Sequence, residues 1–315
     1  MGLTPMMQQY LEMHEQAPDA ILMFRLGDFF EMFFDDAVTA SKELEIALTG
    51  RDCGLEERAP MCGVPHHAVD SYIARLVEKG YKVAVCEQME DPALAKGIVR
   101  REIIRIVSPG TVTDSAALDP GSNNFLMCIG AGKLQNKNQE IGCAVLDLST
   151  GAFYVCEYSG TDKTGWLQDQ CARFSPSEIL LHSALCEEEG LSRRLEQVSS
   201  CKVEPFPSRR FAPSAAEKLL KDQFGVYSVS ALGLGDHPEA VRAAGALLSY
   251  IHETQKTDIG HISHIDFLEN DEVMALDAAS RANLELTKTI RGGRKAGSLL
   301  SVLDMTKTAP GSRLL

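Results

Sequence analysis

The sequence has one tryptophan in 315 residues, no Cys-x-x-Cys pair, no surplus of basic charge and no long apolar run. Without about 18 consecutive apolar residues it offers no membrane-spanning helix. Its start, Met1-Gly2-Leu3-Thr4-Pro5-Met6, lacks the basic and apolar segments of a secretory leader. The expectation is a cytoplasmic chain with no membrane partner. Nine cysteines stand singly, at 53, 62, 86, 128, 143, 156, 171, 186 and 201. An odd, scattered set with members inside apolar runs such as Val83-Ala84-Val85-Cys86 reads as reduced, packed thiols and not as a disulfide framework. Cys62 with His66 and His67 makes only the corner of a metal site, because no further ligand stands at zinc-like spacing. No metal is expected.

The missing basic charge matters most for function. The net charge is −13, and residues 1–115 carry 11 Lys and Arg against 19 Asp and Glu, or −8. Proteins that hold nucleic acid usually show a basic footprint, since phosphate contacts supply most of their non-specific affinity. Any DNA-binding role must therefore rest on local clusters and on a specific reading device. With 44% hydrophobic and 24% charged residues the composition is that of a globular protein. At this length two domains and part of a third are expected.

Thr4-Pro5 opens a helix that runs to about Gln16, with proline at its first position. Two apolar runs, Ala20–Leu26 and Phe29–Phe34, flank Gly27-Asp28 and read as strands around a tight turn. Asp35-Asp36 starts a helix through about Leu48, and a further helix spans about His67–Lys79, with Ala68, Tyr72, Ile73, Leu76 and Val77 on its buried face. Strands follow at Lys82–Glu87 and Glu102–Val107, so residues 1–115 read as a mixed α/β domain. Beyond a turn-rich linker, Phe125–Ile129, Gly142–Leu148 and Ala152–Tyr158 form an antiparallel meander. A helix near Thr164–Arg173, strands at Glu178–Leu181 and Lys202–Pro205 and a helix at Ala215–Phe224 complete a second α/β domain, about 122–235. From His237 onward the pattern is helical: Glu239–Lys256 carries Val241, Ala244, Leu247, Leu248 and Ile251 on one stripe. Residues 237–315 read as the start of an all-α region, and the chain as a fragment.

Phe29-Phe30-Glu31 is the most informative segment. The two-residue period of a strand puts Phe29 and Glu31 on one side and Phe30 on the other. A ring can stack on a base or wedge between base pairs, and a nearby carboxylate can accept a hydrogen bond from an exposed base edge. Taken alone the pattern favours a blander role, since aromatic strand residues usually fill a core.

Other stretches shift that balance: Gly27-Asp28-Phe29-Phe30-Glu31 with Phe34-Asp35-Asp36-Ala37, Pro60-Met61-Cys62-Gly63-Val64-Pro65-His66-His67-Ala68, Lys82–Gln88 with Asp91-Pro92, and Arg105-Ile106-Val107-Ser108-Pro109-Gly110-Thr111. In this order, and with Val145–Gly151, Leu276–Thr287 and Pro310–Arg313, they resemble the MutS family of mismatch-recognition proteins over nearly the whole chain. The resemblance implies a mixed-sheet α/β mismatch-binding domain, an RNase H-like α/β connector and the start of an all-α core. It also implies that Phe29 stacks on the mispaired base and that Glu31 hydrogen-bonds it. Phe30 stands where the family often carries tyrosine, a change of little weight because this ring is expected to face inward. Gly50–Arg58 and Lys96–Arg105 correspond to backbone-contacting regions, which makes Arg51, Arg58, Lys96 and Arg101 the candidate phosphate contacts. The implied partners are double-stranded DNA with mismatches or small loops, a MutL-type protein through the connector, and a second copy in a full-length homodimer.

Two enzymatic alternatives are weaker. Asp147 ends a meander strand where RNase H-like nucleases carry a metal-binding aspartate, but two-metal hydrolysis needs several converging carboxylates, and no second one stands at a clear strand end. A turn-forming role ahead of Ser149-Thr150-Gly151 is favoured. Gly130-Ala131-Gly132-Lys133 imitates a phosphate loop, yet Leu134 stands where Ser or Thr must hold magnesium and the earlier glycine is missing. Full-length family members are DNA-dependent ATPases using ATP and Mg2+, and that activity is expected outside this chain, which is not itself expected to be an enzyme. A protein-interaction scaffold is the remaining reading, suggested by the acidic charge. Arg291-Gly292-Gly293-Arg294-Lys295 fits either a flexible connection near DNA or a solvated turn.

Overall fold

The computed structural model describes residues 2–54, 56–90, 97–113, 118–132, 139–256, 259–269 and 276–315. The chain divides into two compact units, Met1–Ala117 with Glu253–Asp258, and Leu118–His252 with Ile259–Leu315.

In the first unit, α1 (Pro5–His14) leads into β1 (Ala20–Leu26), β2 (Phe29–Phe33) and α2 (Phe34–Leu44). Two strands absent from the sequence reading follow, β3 (Thr49–Arg51) and β4 (Ala59–Pro65), and then α3 (Val69–Glu78), β5 (Lys82–Gln88) and β6 (Arg101–Val107). They form one mixed six-stranded sheet in the order β3-β4-β2-β1-β5-β6. Only β1 and β5 are parallel neighbours. A two-residue loop joins β1 to β2, with Leu26 opposite Phe29. Gly27 occupies its left-handed position at φ +59, where a side chain would be strained.

Strand periodicity sorts the side chains into two faces. Leu22, Phe24, Phe33, Ala84 and Cys86 belong to one buried cluster with Met7 and Tyr10 of α1. The Phe33 ring meets Tyr10 edge-on at 5.0 Å. On the opposite face Cys62, paired with Met32, donates from Sγ to the Ala37 carbonyl of α2 at 3.4 Å. At the sheet end, the Asp36 carboxylate accepts from the Tyr10 hydroxyl (3.0 Å) and from the Leu22 amide (2.9 Å), which ties α1, β1 and α2 together. That helix ends at Leu44, four residues before the expected Leu48, and the left-handed φ of +58 at Glu45 turns the chain.

The second unit contains β7 (Phe125–Ala131), β8 (Gln139–Asp147), β9 (Ala152–Gly160), α4 (Lys163–Phe174), β10 (Glu178–His182), α5 (Ser183–Cys186), α6 (Leu191–Ser199), β11 (Val203–Phe206), α7 (Pro213–Phe224), α8 (Pro238–Gln255) and β12 (Asp266–Phe267). Short helices α9 (Ala278–Asn283), α10 (Leu299–Leu303) and α11 (Ala309–Leu314) follow. The sheet runs β11-β10-β7-β8-β9-β12. Its β7-β8-β9 part is the expected meander, and β10 and β11 continue in parallel from β7. Every residue of β7 is buried, because helices cover both faces. Met127 and Ile129 pack with Leu167 of α4 and Leu195 of α6, and Leu126 and Cys128 with α7 and α8.

The sequence reading set α8 at the head of a separate helical region, and the structure corrects this. Val241, Ala244, Leu247, Leu248 and Ile251, the predicted stripe, sit in the same core as the sheet residues Leu126, Ala144 and Val155. The stripe was right and its partner was wrong, since periodicity reports that a face is buried but not against what. Past residue 276 only these short helices appear among the described residues, so the start of an all-α core is not visible.

Candidate nucleic-acid interface

The ends of β1, β4 and β5 and the starts of β2 and β6 meet at one edge of the first sheet. Phe29 lies at that edge, opposite Leu26 on one side and Pro65 on the other, and is 46% exposed. Phe30, the next residue, is 1% exposed, opposite Val64. Beside it the Arg25 guanidinium lies 5.3 Å from the Phe30 ring centroid. Phe29, Glu31 and Phe33 thus share the α1 face with graded burial: open at Phe29, partly covered at Glu31, closed at Phe33 under Tyr10. β2 is paired on both sides, so what is open at Phe29 is the end of an inner strand and not a sheet side.

Glu31 points along this face toward β3. Its cross-strand partner on β4 is Gly63, where an added Cβ would lie 3.4 Å from Glu31 Cγ and 3.3 Å from the Phe30 carbonyl. The glycine therefore leaves the shelf on which the Glu31 side chain rests. At its end, Glu31 Oε2 accepts a hydrogen bond from Arg51 Nη1 in an ion pair whose side chains are 15% and 37% exposed. Register explains the pairing, since Arg51 opposes Ala59 of β4, and Ala59, Met61 and Gly63 are alternate residues on the same face as Glu31.

The other candidate cations separate. Arg58 is exposed, with its stem over Gly50, and among the described residues it makes no ion pair. Lys96 lies outside the described residues, as do Asp91 and Pro92. Arg101 departs from the expectation of a phosphate contact, being 6% exposed. Its Nε donates to the Arg25 carbonyl (2.7 Å), and its Nη1 to Gln9 Oε1 (2.8 Å) and the Val99 carbonyl (3.0 Å). The guanidinium also stacks 4.9 Å from the Phe24 ring, and burial pulls its pKa down. These bonds make it a strut between α1, β1 and β6. Sequence reasoning treats every arginine near a motif as a surface cation, and only the packing of α1 distinguishes this one. Reading by motif also missed Met89 and Ile98, each 49% exposed, which flank the connection between β5 and β6. Gly63 carried a signal in the quoted motif, a glycine inside a strand, which marks close approach.

In the second unit Asp147 and Glu157 hold structure. Asp147 is fully buried: Oδ1 accepts from the Ser149 amide (2.9 Å) and hydroxyl (2.7 Å), and Oδ2 from the Asn124 amide (3.1 Å). Glu157 Oε2 caps α8 by accepting from the Glu239 and Ala240 amides at 2.8 and 3.0 Å. Among the described residues no group of three His, Cys, Asp or Glu side chains is placed to hold a metal ion. All nine cysteines are free thiols. Burial raises the pKa of Cys62 to about 11 and that of Cys86 to about 12. Gly130 and Gly132, the false phosphate loop, instead admit Phe211 and Glu239, which a Cβ would meet at 3.0 and 2.6 Å.

The family model described as MutS domain I matches residues 4–116, and that for MutS domain II matches residues 124–266. The chain belongs to the MutS family. Relatives named DNA mismatch repair protein MutS are 50% identical to it in Ruminiclostridium cellulolyticum, over 99% of the chain and 35% of the relative, and in Acetivibrio thermocellus, over 100% and 35%. A third, from Lachnoclostridium phytofermentans, is 48% identical over 99% of the chain and 33% of its own length. The chain thus spans about a third of the curated relatives it matches. Among the described residues no helix is long and apolar enough to cross a membrane.

Proposed function

We propose that this chain serves DNA mismatch repair by reading mispaired duplex, with Phe29 wedged beside a mispaired or unpaired base in kinked DNA and Glu31 accepting a hydrogen bond from that base. The observation that carries this reading is the contrast of neighbours at the sheet edge: Phe29 open to solvent beside a carboxylate, Phe30 closed in the core. An exposed ring on a rigid strand end is preorganised to stack, and holding it out of the core brings no stability in return. Mispaired steps stack poorly and kink at lower cost, so a protein that wedges and bends DNA prefers them by the difference in deformation energy. Such a device needs no basic surplus, which reconciles it with a charge of −13. Arg51, Arg58 and Lys96 supply phosphate contacts in this reading, and Arg101 drops out of that set. The domain following it acts as a connector toward a MutL-type partner, and homodimerisation, ATP hydrolysis and cytoplasmic action belong to the full-length protein of the family.

The test is a competition titration of mismatched against matched duplex at low salt. Phe29→Ala removes the preference for mismatched DNA, since base stacking on an aromatic ring contributes roughly 1–3 kcal/mol, and leaves the melting temperature nearly unchanged. A Phe29→Ala chain that still prefers the mismatch would end the wedge assignment.

A further inference from the structure

Glu31 and Arg51 are the two residues of the interface whose roles compete. While they are paired, as here, Glu31 Oε2 and Arg51 Nη1 serve each other and not a base or a phosphate, and each charge is offset by its partner. Their geometry favours that state, because Gly63 leaves room beside Glu31 and both residues rise from one face of β2 and β3, the two strands that flank β4. Arg58, immediately before β4 in the same hairpin, has no such tie among the described residues.

Resting on the reading above, we propose that Arg51 is a specificity-determining residue: Glu31 holds its guanidinium until a mispaired base takes the carboxylate, and Arg51 then passes to a phosphate of the duplex. Phosphate contacts carry no sequence information by themselves. Exchange through Glu31 gives this one such information, because the cation is released only where a base offers a donor. On a matched duplex the stacked bases make no offer, the ion pair persists, and the Arg51 charge stays neutralised by Glu31. On a mismatched duplex one ion pair is traded for two charge-assisted bonds, carboxylate to base and guanidinium to phosphate.

The exchange makes a crossed prediction for the chain and its variants Arg51→Ala, Glu31→Ala and the double variant. With Glu31 present, Arg51→Ala weakens mismatched binding about fivefold and matched binding less than about twofold, as expected for loss of one charge-assisted phosphate contact on one duplex only. With Glu31 replaced by alanine, Arg51 is free on both duplexes, so its removal weakens both by the same factor of about five. Counterion release gives an independent readout: in the unmutated chain the slope of log affinity against log salt is steeper by about 0.9 on mismatched than on matched DNA, and Arg51→Ala abolishes the difference. Unchanged melting temperatures separate these effects from damage to the fold. Equal weakening of both duplexes by Arg51→Ala in the presence of Glu31 overturns the exchange and leaves a plain phosphate contact, with the wedge reading intact. No effect of Arg51→Ala on either duplex overturns it too, as a structural pair. An unmutated chain that shows no preference for mismatched DNA refutes both the exchange and the function on which it rests.

Discussion

Both units are built on six-stranded mixed sheets, yet the side chains at the Phe29 end of the first and those around β7, β8 and α8 in the second are used in opposite ways. In the first, the edge of the sheet leaves an aromatic ring in solvent and an acid and a base that satisfy only each other. In the second, Asp147 closes a turn, Glu157 caps α8, Glu178 accepts from the Tyr250 hydroxyl at 2.8 Å, and glycines on β7 and β8 receive helix and ring atoms. A group whose bonds are all internal stabilises a fold; a group left with an exposed face or an exchangeable partner can meet a ligand. The comparison teaches where to look for function within a chain whose overall charge argues against its ligand.

The largest expected effect tests the division inside β2. Phe30→Ala should destabilise the first unit by about 3–5 kcal/mol, as for other buried rings cut to alanine, whereas Phe29→Ala leaves thermal unfolding nearly unmoved. If melting assigned the loss to Phe29, the burial pattern of the strand would be inverted. Next comes the packing of α8 on its sheet. A Cβ at position 142 would lie 1.9 Å from the Glu239 carbonyl oxygen. Gly142→Ala should therefore cost about 3 kcal/mol, the upper end for overpacking, because the atom in the way is backbone and cannot swing aside. Denaturant unfolding monitored at Trp166 of the second unit would measure it. An unfolding midpoint equal to that of the unmutated chain would show that α8 has room to shift.

The smallest effect concerns Glu239, buried at the start of α8 with its Oε2 unpartnered among the described residues. Burial raises its pKa, and Arg242 at 3.5 Å opposes the shift. A raised folded-state pKa means that the folded protein binds the proton more tightly than the unfolded one. Stability from this group is therefore complete below the ordinary glutamate range near about 4.3 and is lost as pH rises through the folded value. Glu239→Gln should melt higher than the unmutated chain at neutral pH, with the advantage shrinking toward pH 4. A constant difference across that range would show that charge is not the cause.

Legibility in the sequence followed the range of the interactions involved. Strands β1, β2, β5 and β7 to β9 were read within a residue or two at most ends, because their apolar runs and turn residues are local signals. The short β3 and the glycine- and proline-containing β4 were read as loop and motif, since their strand character comes from pairing with β2 and with each other. The opposite facing of Phe29 and Phe30 followed from the two-residue period alone. The period alone does not say which of the two is buried; the resemblance set Phe30 inward, and it is 1% exposed.

By itself, then, the sequence determined the α/β class, the phase of β2, the packed thiols and the family, all properties written in neighbouring residues or in motif order. Only the tertiary structure decided that Arg101 is a buried strut, that α8 belongs to the second core and that Glu31, beside Gly63, meets Arg51. Each of these depends on residues apart in the chain: Gln9 bonds Arg101 across 92 positions, and Glu31 meets Arg51 across the intervening β4. No window of sequence contains both partners of such a contact, so the physics that fixes them acts only once the chain has folded.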